Sequence, residues 1–458
     1  MHTVLIANRG EIALRVLRTC RELGLRTVAV YSTADAHSAV VLEADEAVCI
    51  GPGPARRSYN HIPAVIEAAR MTGADAVHPG YGFLSENPDF AEVCAAEGIT
   101  FVGPPPHVME RLGDKATARA MMVEAGLPLL PGSTDAVDDP VRARELADSV
   151  GYPVIIKAVA GGGGRGMSVV HDSAAFADTY RRTRAGAAAA FGDGRVYVER
   201  YLESARHVEI QILCDTHGNG VHLGARDCSV QRRHQKLVEE SPAPGLPRDV
   251  QDRMGEQAVA ALLAVGYTGA GTVEFLVDSD GAHHFMEVNC RLQVEHPVTE
   301  MVTGLDLVAE QLRVAMGERL GFGQADVRLD GVAVECRINA EDPDRDFAPT
   351  PATVGTAHWP GGPFVRVDTH VDAGYRVPPD YDSLLAKIVT WGPDRATALR
   401  RMDRALTETR LEGPRLATTA GFLRGVLAEP DFRLGRHDTA LLERMRSRTA
   451  EPATQRSD

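Results

Sequence analysis

Between Gly271 and His296 the chain reads GTVEFLVDSDGAHHFMEVNCRLQVEH, and this stretch restricts the fold more than any other. Two runs with strand character flank Asp280-Gly281, a pair that favours a two-residue hairpin turn. With that turn Ser279 faces Ala282, and counting outward sets Glu274 opposite Glu287. Like charges directly opposite on one sheet face repel, so the pairing calls for a compensating cation. Carboxylates with Asn289 beside them suit a hard ion such as Mg2+ better than zinc. Alternation then places Glu287, Asn289, Arg291, Gln293 and Glu295 on one face, and Val288, Cys290, Leu292 and Val294 on the other. Any half-buried strand alternates. This one is distinguished by metal-type ligands sharing a face with an arginine, and by Glu274 across the hairpin.

The first 110 or so residues alternate strand and helix signals. Val4–Ala7, Thr27–Tyr31, Ala74–His78 and Thr100–Val102 read as strands; Glu11–Leu23, Ile62–Met71 and Phe90–Glu97 read as helices. That rhythm predicts a parallel sheet with helical crossovers, bounded by Gly103-Pro104-Pro105-Pro106. Past Lys115 the order becomes strand (Val154–Ala158), glycine loop (Gly161–Gly166), strand (Met167–His171), which is a hairpin. Arg181–Ala190 and residues 251–265 read as helices; Val196–Arg200, His207–Leu213 and Val221–Ala225 read as strands, the last followed by a polar loop. Short strands return from Gly331, and residues 395–410 form a helix. The polar tail, 446–458, is expected to be disordered.

Glycines at 161–164 would let backbone N–H groups approach phosphate oxygens. The P-loop pattern is absent, and a plain flexible linker fits the glycines equally well. Lys157 at the end of the preceding strand brings charge to the loop, and Lys115 offers a second cation. Gly51-Pro52-Gly53-Pro54 lacks the third glycine of a dinucleotide fingerprint and is assigned to a turn. The segment Arg226–Lys236 (RDCSVQRRHQK) is dense in donors, and taken alone reads as a solvated charged loop.

At 458 residues, two to four domains are expected. The net charge of −14 disfavours nucleic acid and anionic membrane as partners. No apolar run approaches the ~18 residues of a membrane span. Seven scattered cysteines without a C-x-x-C pair argue against a disulfide framework or zinc site, and for a reducing cytoplasmic setting; the N-terminus has no signal-peptide pattern.

Taken together and in order, IANRGEIA (6–13), HPGYGFLSEN (78–87), Gly113-Asp114-Lys115, Tyr152–Met167, HVEIQ (207–211), RDCSVQRRHQK (226–236), GTVEF with RLQVEHPVTE, VECRINAEDP (334–343) and Tyr381-Asp382-Ser383 resemble the biotin carboxylases of the ATP-grasp superfamily, from about residue 2 to 440. The resemblance implies an α/β and α+β fold in three parts. These are an N-terminal Rossmann-like domain (1–112), an ATP-grasp domain (113–330) with a mobile lid (about 131–203), and a C-terminal biotin carboxylase domain (331–445). It implies ATP-dependent carboxylation of biotin from bicarbonate through carboxyphosphate, the first half-reaction of an acetyl-CoA or other acyl-CoA carboxylase. By the same resemblance Lys115, Lys157, Gly163, Gly164 and His207 hold ATP phosphates or ribose. Glu199, Arg200, Tyr201 and Leu202 line the adenine hinge, and Gln231 and His234 touch the nucleotide. Glu274, Glu287 and Asn289 bind Mg2+ or Mn2+, two ions in all. Lys236, Arg291, Gln293, Val294 and Glu295 surround bicarbonate, with Glu295 as base, and Arg337 faces the biotin ureido oxygen.

The sequence departs from the family's common pattern at Ala160, Arg200, Cys290 and Asp344–Pro349, none of which removes a group with a chemical role. From sequence alone, Arg337 reads more readily as a structural ion pair with Glu335 or Glu341, and only the family resemblance overturns that reading. No Met-Lys-Met carrier sequence occurs, so biotin is expected on a separate carrier protein, with a separate carboxyltransferase. A homodimer is implied, with Arg15, Arg18, Glu22 and Arg366 as interface candidates. The alternatives are another ATP-grasp carboxylate–amine ligase and a non-catalytic nucleotide-binding regulatory subunit. An NAD-linked oxidoreductase has only the N-terminal sheet in its favour.

Overall fold

The computed structural model describes residues 1–133, 135–160 and 166–450. Strand β1 (Thr3–Ile6) is buried at every position, as a strand inside a parallel sheet covered on both faces must be. Its neighbours are β2 (Arg26–Ser32), β3 (Glu46–Gly51), β4 (Ala76–His78) and β5 (Thr100–Phe101), all parallel, in the order β3-β2-β1-β4-β5. Val4 and Ile6 pack against α1 (Gly10–Glu22). Leu5 faces the other way, toward the side covered by α3 (Ile62–Thr72) and α4 (Pro88–Ala96). Short α2 (Ala39–Glu43) completes this part. The expected strand–helix rhythm is present; β3 and α2 are additions to it, β3 because its mixed burial hides a strand pattern.

Helices α5 (Pro106–Gly113) and α6 (Lys115–Glu124) follow, the second capped by the Asp114 carboxylate on the Thr117 N–H. Next comes a small unit of α7 (Pro140–Val150), β6 (Val154–Ala158), β7 (Met167–Val170), α8 (Ser173–Phe191) and β8 (Val196–Arg200). Its sheet, β7-β6-β8, is antiparallel. Its core, including Val154, Ile156, Phe176, Tyr180 and Val198, is a cluster of its own. Gly132 bridges to Glu199 at its edge.

Eight of the remaining strands form one sheet, β13-β12-β9-β10-β11-β14-β19-β18, while β15-β16 and β17-β20 pair separately. It contains β9 (Arg206–Cys214), β10 (Gly220–Arg232), β11 (Gln235–Ser241), β12 (Gly269–Val277), β13 (His283–Asn289) and β14 (Val332–Asn339). Helix α9 (Arg248–Ala264) covers Ile210 and Ile212 on one face. Helices α10 (His296–Thr303) and α11 (Leu307–Ala315) follow the hairpin. Beyond β14 lie the short pair β15 (Glu341–Asp342) and β16 (Ala348–Pro349), then β17 (Thr356–His358), β18 (Val365–Thr369), β19 (Leu384–Gly392), α12 (Arg395–Glu408) and β20 (Arg410–Glu412). Helices α13 (Ala420–Ala428), α14 (Pro430–Arg433) and α15 (Leu441–Ala450) end the described chain. Because β11 pairs with β14, the sheet continues straight through the boundary expected at 331. The tail expectation is corrected in part: α15 runs on through 446–450, and 451–458 lie outside the described residues.

Two sequence expectations about local geometry are also corrected. The connection between β12 and β13 is three residues long, not two: the Asp278 N–H donates to the Ala282 carbonyl (3.0 Å), and Gly281 takes the left-handed position at φ +83°. That puts Val277 opposite His283 and Phe275 opposite Phe285, a one-residue slip that would pair Glu274 with Met286. A β-bulge at this point absorbs one extra residue and restores Glu274 opposite Glu287. Second, Arg226–Lys236 is not a solvated loop. Strand β10 continues to Arg232, a tight turn follows at Arg233-His234, and β11 begins at Gln235. Its charges misled because they are matched inside the protein rather than by water, with Arg226 fully buried.

A Cβ on Gly132 would sit 2.4 Å from the Val198 carbonyl oxygen and 2.6 Å from Glu199 Cα. Gly132→Ala should therefore cost about 1–3 kcal/mol of stability, read as a lower urea midpoint.

Candidate active site

The sheet's register builds the site. Glu209 on β9 pairs with Glu274 on β12, and Glu274 pairs with Glu287 on β13, so three acids lie side by side on one face. On the other side of Glu209 the partner is Arg226 of β10. This guanidinium, fully buried, donates to Glu209 (2.5 Å), Gln211 (2.7 Å), Thr299 (2.9 Å) and Thr272 (3.1 Å). Lys236, at the start of β11, reaches Glu295 (2.6 Å), Glu209 (2.7 Å) and Glu274 (3.1 Å) with one ammonium. Burial works against that charge, yet the surrounding acids hold its pKa well above the usual lysine value. Burial alone would raise Glu274 and Glu295. Lys236 with His207 outweighs it for the first, Lys236 with Arg337 for the second, and both carboxyls titrate below the ordinary range.

Around this centre the other expected residues take their places. Lys115, first residue of α6, bonds Glu287 (2.8 Å). Lys157, next to last in β6, is buried against Glu199, which Arg119 also holds at 2.7 Å. His207 Nε2 lies 2.9 Å from Glu274; burial lowers the imidazole's pKa, but that carboxylate raises it by more. Gln231 lies 3.4 Å from the other ring nitrogen. His234 occupies the exposed β10–β11 turn at φ +66°. Arg200 turns away to cap the Val150 carbonyl at the end of α7 (3.1 Å). Tyr201 and Leu202 follow directly, the Tyr201 N–H bonded to the Pro153 carbonyl (3.0 Å). Gly163 and Gly164 lie outside the described residues.

Strict alternation to Glu295 does not hold. β13 ends at Asn289, and the chain bends through 290–294 into α10, with Glu295 at the helix's N-cap and Pro297 in its first turn. The side chains still converge. Arg291 donates to Gln293 (3.0 Å) and Asn289 (3.3 Å), Asn289 donates to Glu274 (2.8 Å), and the Val294 carbonyl accepts from Lys387 (2.8 Å). Cys290 points into the core, as its place in the pattern implied. Arg337 pairs with Glu239 (2.5 Å) and Glu295 (2.9 Å), and not with Glu335 or Glu341 as the alternative reading had it.

Sequence reasoning missed six contributors. Glu209 and Gln211 stand two apart among the apolar residues Val208 to Leu213 of a strand that is almost wholly buried, a pattern that could have flagged them. Arg226 was hidden by the reading of its segment as a loop. Glu86, inside the HPGYGFLSEN run, accepts from Arg291 Nε (2.8 Å) and the Cys290 N–H (2.9 Å). Arg119 and Glu239 carry no local signal. Hard oxygen donors on adjacent strands, with lysines alongside, fit Mg2+ or Mn2+. His207, Glu209 and Glu274 also bring ligand atoms within 4.8 Å of one another.

A row of acids balanced by lysines, beside a separately cored unit with a glycine-rich hairpin, is the layout of an ATP-grasp ligase. Residues 1–109 match the biotin carboxylase N-terminal domain, 114–322 the ATP-binding domain of the carbamoyl-phosphate synthase L chain, and 335–444 the biotin carboxylase C-terminal domain. A Nostoc biotin carboxylase is 53% identical across 96% of this chain and 98% of its own; one from Haemophilus influenzae is 53% identical across 97% and 98%. A Campylobacter jejuni biotin carboxylase solved as an ATP-type complex superposes with a TM-score of 0.94 at 46% identity, covering 96% of this chain and 98% of that one. The biotin carboxylase domain dimer of Hydrogenobacter thermophilus 2-oxoglutarate carboxylase, solved with MgADP, ADP and bicarbonate, gives 0.93 at 44% identity, covering 97% of each. The chain belongs to the biotin carboxylase family.

Replacing Arg226 with leucine would leave Glu209 buried beside Lys236 alone. Arg226→Leu should lower the unfolding free energy by about 3–5 kcal/mol, measured by urea denaturation.

Proposed function

We propose the following division of labour for the family's reaction, ATP-dependent carboxylation of biotin from bicarbonate. The observation that carries it is Glu295, buried and ionised between Lys236 and Arg337. Phosphoryl transfer depends chiefly on positioning and charge neutralisation. Lys115 and Lys157 bind the phosphates, His207, Gln231 and His234 orient the nucleotide, and Glu199 to Leu202 form the hinge of a lid over residues 131–203. Glu274 and Glu287, with Asn289, would hold Mg2+ or Mn2+, which supplies further neutralisation of phosphate charge. Arg291 clamps bicarbonate through paired N–H groups, aimed by Glu86 and Gln293, and Lys236 and the Val294 backbone complete its cradle. Glu295 takes the bicarbonate proton as the carbonate oxygen attacks the γ-phosphorus, giving carboxyphosphate and ADP. Carboxyphosphate releases CO2 and phosphate, phosphate takes the ureido proton while Arg337 stabilises the negative oxygen that develops on biotin, and the deprotonated nitrogen attacks CO2 to form the N–C bond of carboxybiotin.

Biotin arrives on a carrier protein, and a carboxyltransferase consumes the product; acetyl-CoA or another acyl-CoA is the fitting final acceptor. Among the described residues no helix is long and apolar enough to cross a membrane. The proposed setting, cytoplasmic, rests on the scattered, unpaired cysteines. For the homodimer, Arg18 and Glu22 are exposed on α1 and available. Arg15 is already engaged by Glu300 and Asp306, and Arg366 by Glu300 and Asp368, so these two shape the surface from beneath.

Bicarbonate-dependent ADP release stimulated by free biotin is the direct test; ADP release driven by an amine in place of biotin would favour a carboxylate–amine ligase. Arg337→Ala should keep nucleotide affinity and lower biotin carboxylation by about 10²–10³-fold, with near-wild-type carboxylation rejecting the role. Glu287→Gln should abolish metal-dependent ATP turnover, assayed as phosphate release against Mg2+ concentration.

A further inference from the structure

Behind Arg337 lies a second pair of acids that the mechanism above does not use. Glu239 on β11 and Glu335 on β14 are direct cross-strand partners, so their side chains share a face, and neither has any exposed surface. Arg337, two residues on from Glu335, and Lys387, opposite Arg337, share that face. Arg337 serves Glu239 and Glu295. Lys387 is directed at Glu11 (3.1 Å) and the Val294 carbonyl (2.8 Å), with Asp368 at 3.9 Å. Among the described residues no hydrogen bond reaches an oxygen of either acid; Glu239 has the Arg337 ion pair, and Glu335 has none.

Helix α10 covers this face through Val298 and Val302 against Ala333 and Val389. Its His296 is kept neutral by burial and by Lys387, Arg15 and Arg366. Its Glu300 is bound by Arg15 and Arg366. From the N-terminal part, Glu11 is engaged by Tyr81 and Lys387. Lys236 is held by Glu209, Glu274 and Glu295. On the opposite sheet face Glu240 is neutralised by Arg395. Among the described residues no base or cation is left over to pair with Glu335.

We propose that Glu239 and Glu335 are a carboxylate–carboxylic acid pair carrying one proton between them, and that the single charge so left positions Arg337. The proposal rests on the assignment of Arg337 and Glu295 to the reaction. An ionised carboxylate without a donor is not sustained in a site closed to water, and two acids facing each other cannot both ionise there. Burial drives Glu335 well above the usual carboxylate range and Glu239 up to about 7, values that belong to the pair rather than to either residue. When Glu295 takes the bicarbonate proton, its hold on Arg337 weakens while that of Glu239 persists. The guanidinium keeps its place, and the N–H that Glu295 releases is free for an acceptor oxygen.

The test uses the full chain with Mg2+ and ATP. At pH 7 the infrared absorption of a protonated buried carboxyl should be present in the wild type and missing from Glu335→Gln. A carboxyl whose pKa rises on folding stabilises the protein at low pH and loses that contribution as pH climbs through its folded value. The melting temperature of the wild type should therefore fall relative to Glu335→Gln between roughly pH 5 and 8. Glu239→Gln should raise the KM for biotin about tenfold while leaving the KM for ATP within about twofold. An unchanged infrared band, or parallel melting profiles, overturns the shared proton. Equal shifts in both KM values, or none, overturn the positioning of Arg337. A wild type with no biotin-stimulated turnover would instead reject the functional reading, leaving the infrared and melting results to judge the proton.

Discussion

One ammonium among three carboxylates organises this protein. Lys236 has to stand where Glu209, Glu274 and Glu295 converge, because three acids so placed would not remain ionised without it. Arg226 shares the burden from the buried side of Glu209. Neither cation makes the fold cheap, since buried charges lose more hydration than their pairing fully recovers. What they secure is a set of oxygens that are ionised and fixed in place before any ligand arrives. Preorganised charge of this kind is where the largest catalytic effects reside.

Hydrophobic packing determines how those charges are presented. Val208, Ile210, Ile212, Val273 and Phe275 turn to the side covered by α9, which sends Glu209, Gln211, Thr272 and Glu274 to the other. The charges of the site therefore follow from the alternation of apolar residues behind them. The unit around β6 is different: its core is separate from that of the main sheet. It meets the site through Lys157, Glu199 and Arg119, a charged contact between two apolar masses.

Much of this was legible in the sequence, for reasons that can be named. β6 and β8 were read to the residue because they are short, β-branched and bounded by glycine and charge. The opposition of Glu274 and Glu287 was also read correctly, but through two errors that cancelled: a turn one residue longer than expected and a bulge that returns the register. Counting along a strand senses only the sum of such shifts. Arg226–Lys236 failed for a deeper reason. Charge density signals solvent only when partners are absent, and here the partners lie on β9, on β12 and in the C-terminal third, far away in sequence. Glu86 and Glu239 were invisible on the same ground, since their meaning resides in an arginine some two hundred and some one hundred residues away.

The pairing of β11 with β14 carries a consequence for modular assembly. Lys236 lies near the start of one of these strands and Arg337 near the end of the other, so the groups assigned to bicarbonate and to biotin belong to a single hydrogen-bonded ladder. A cut at the apparent seam near residue 331 would strip both strands of their neighbour and leave two naked edges ready to recruit foreign strands. Lineages that shuffle carboxylase modules would have to exchange these two thirds of the chain as one cassette, even though sequence comparison divides them into two.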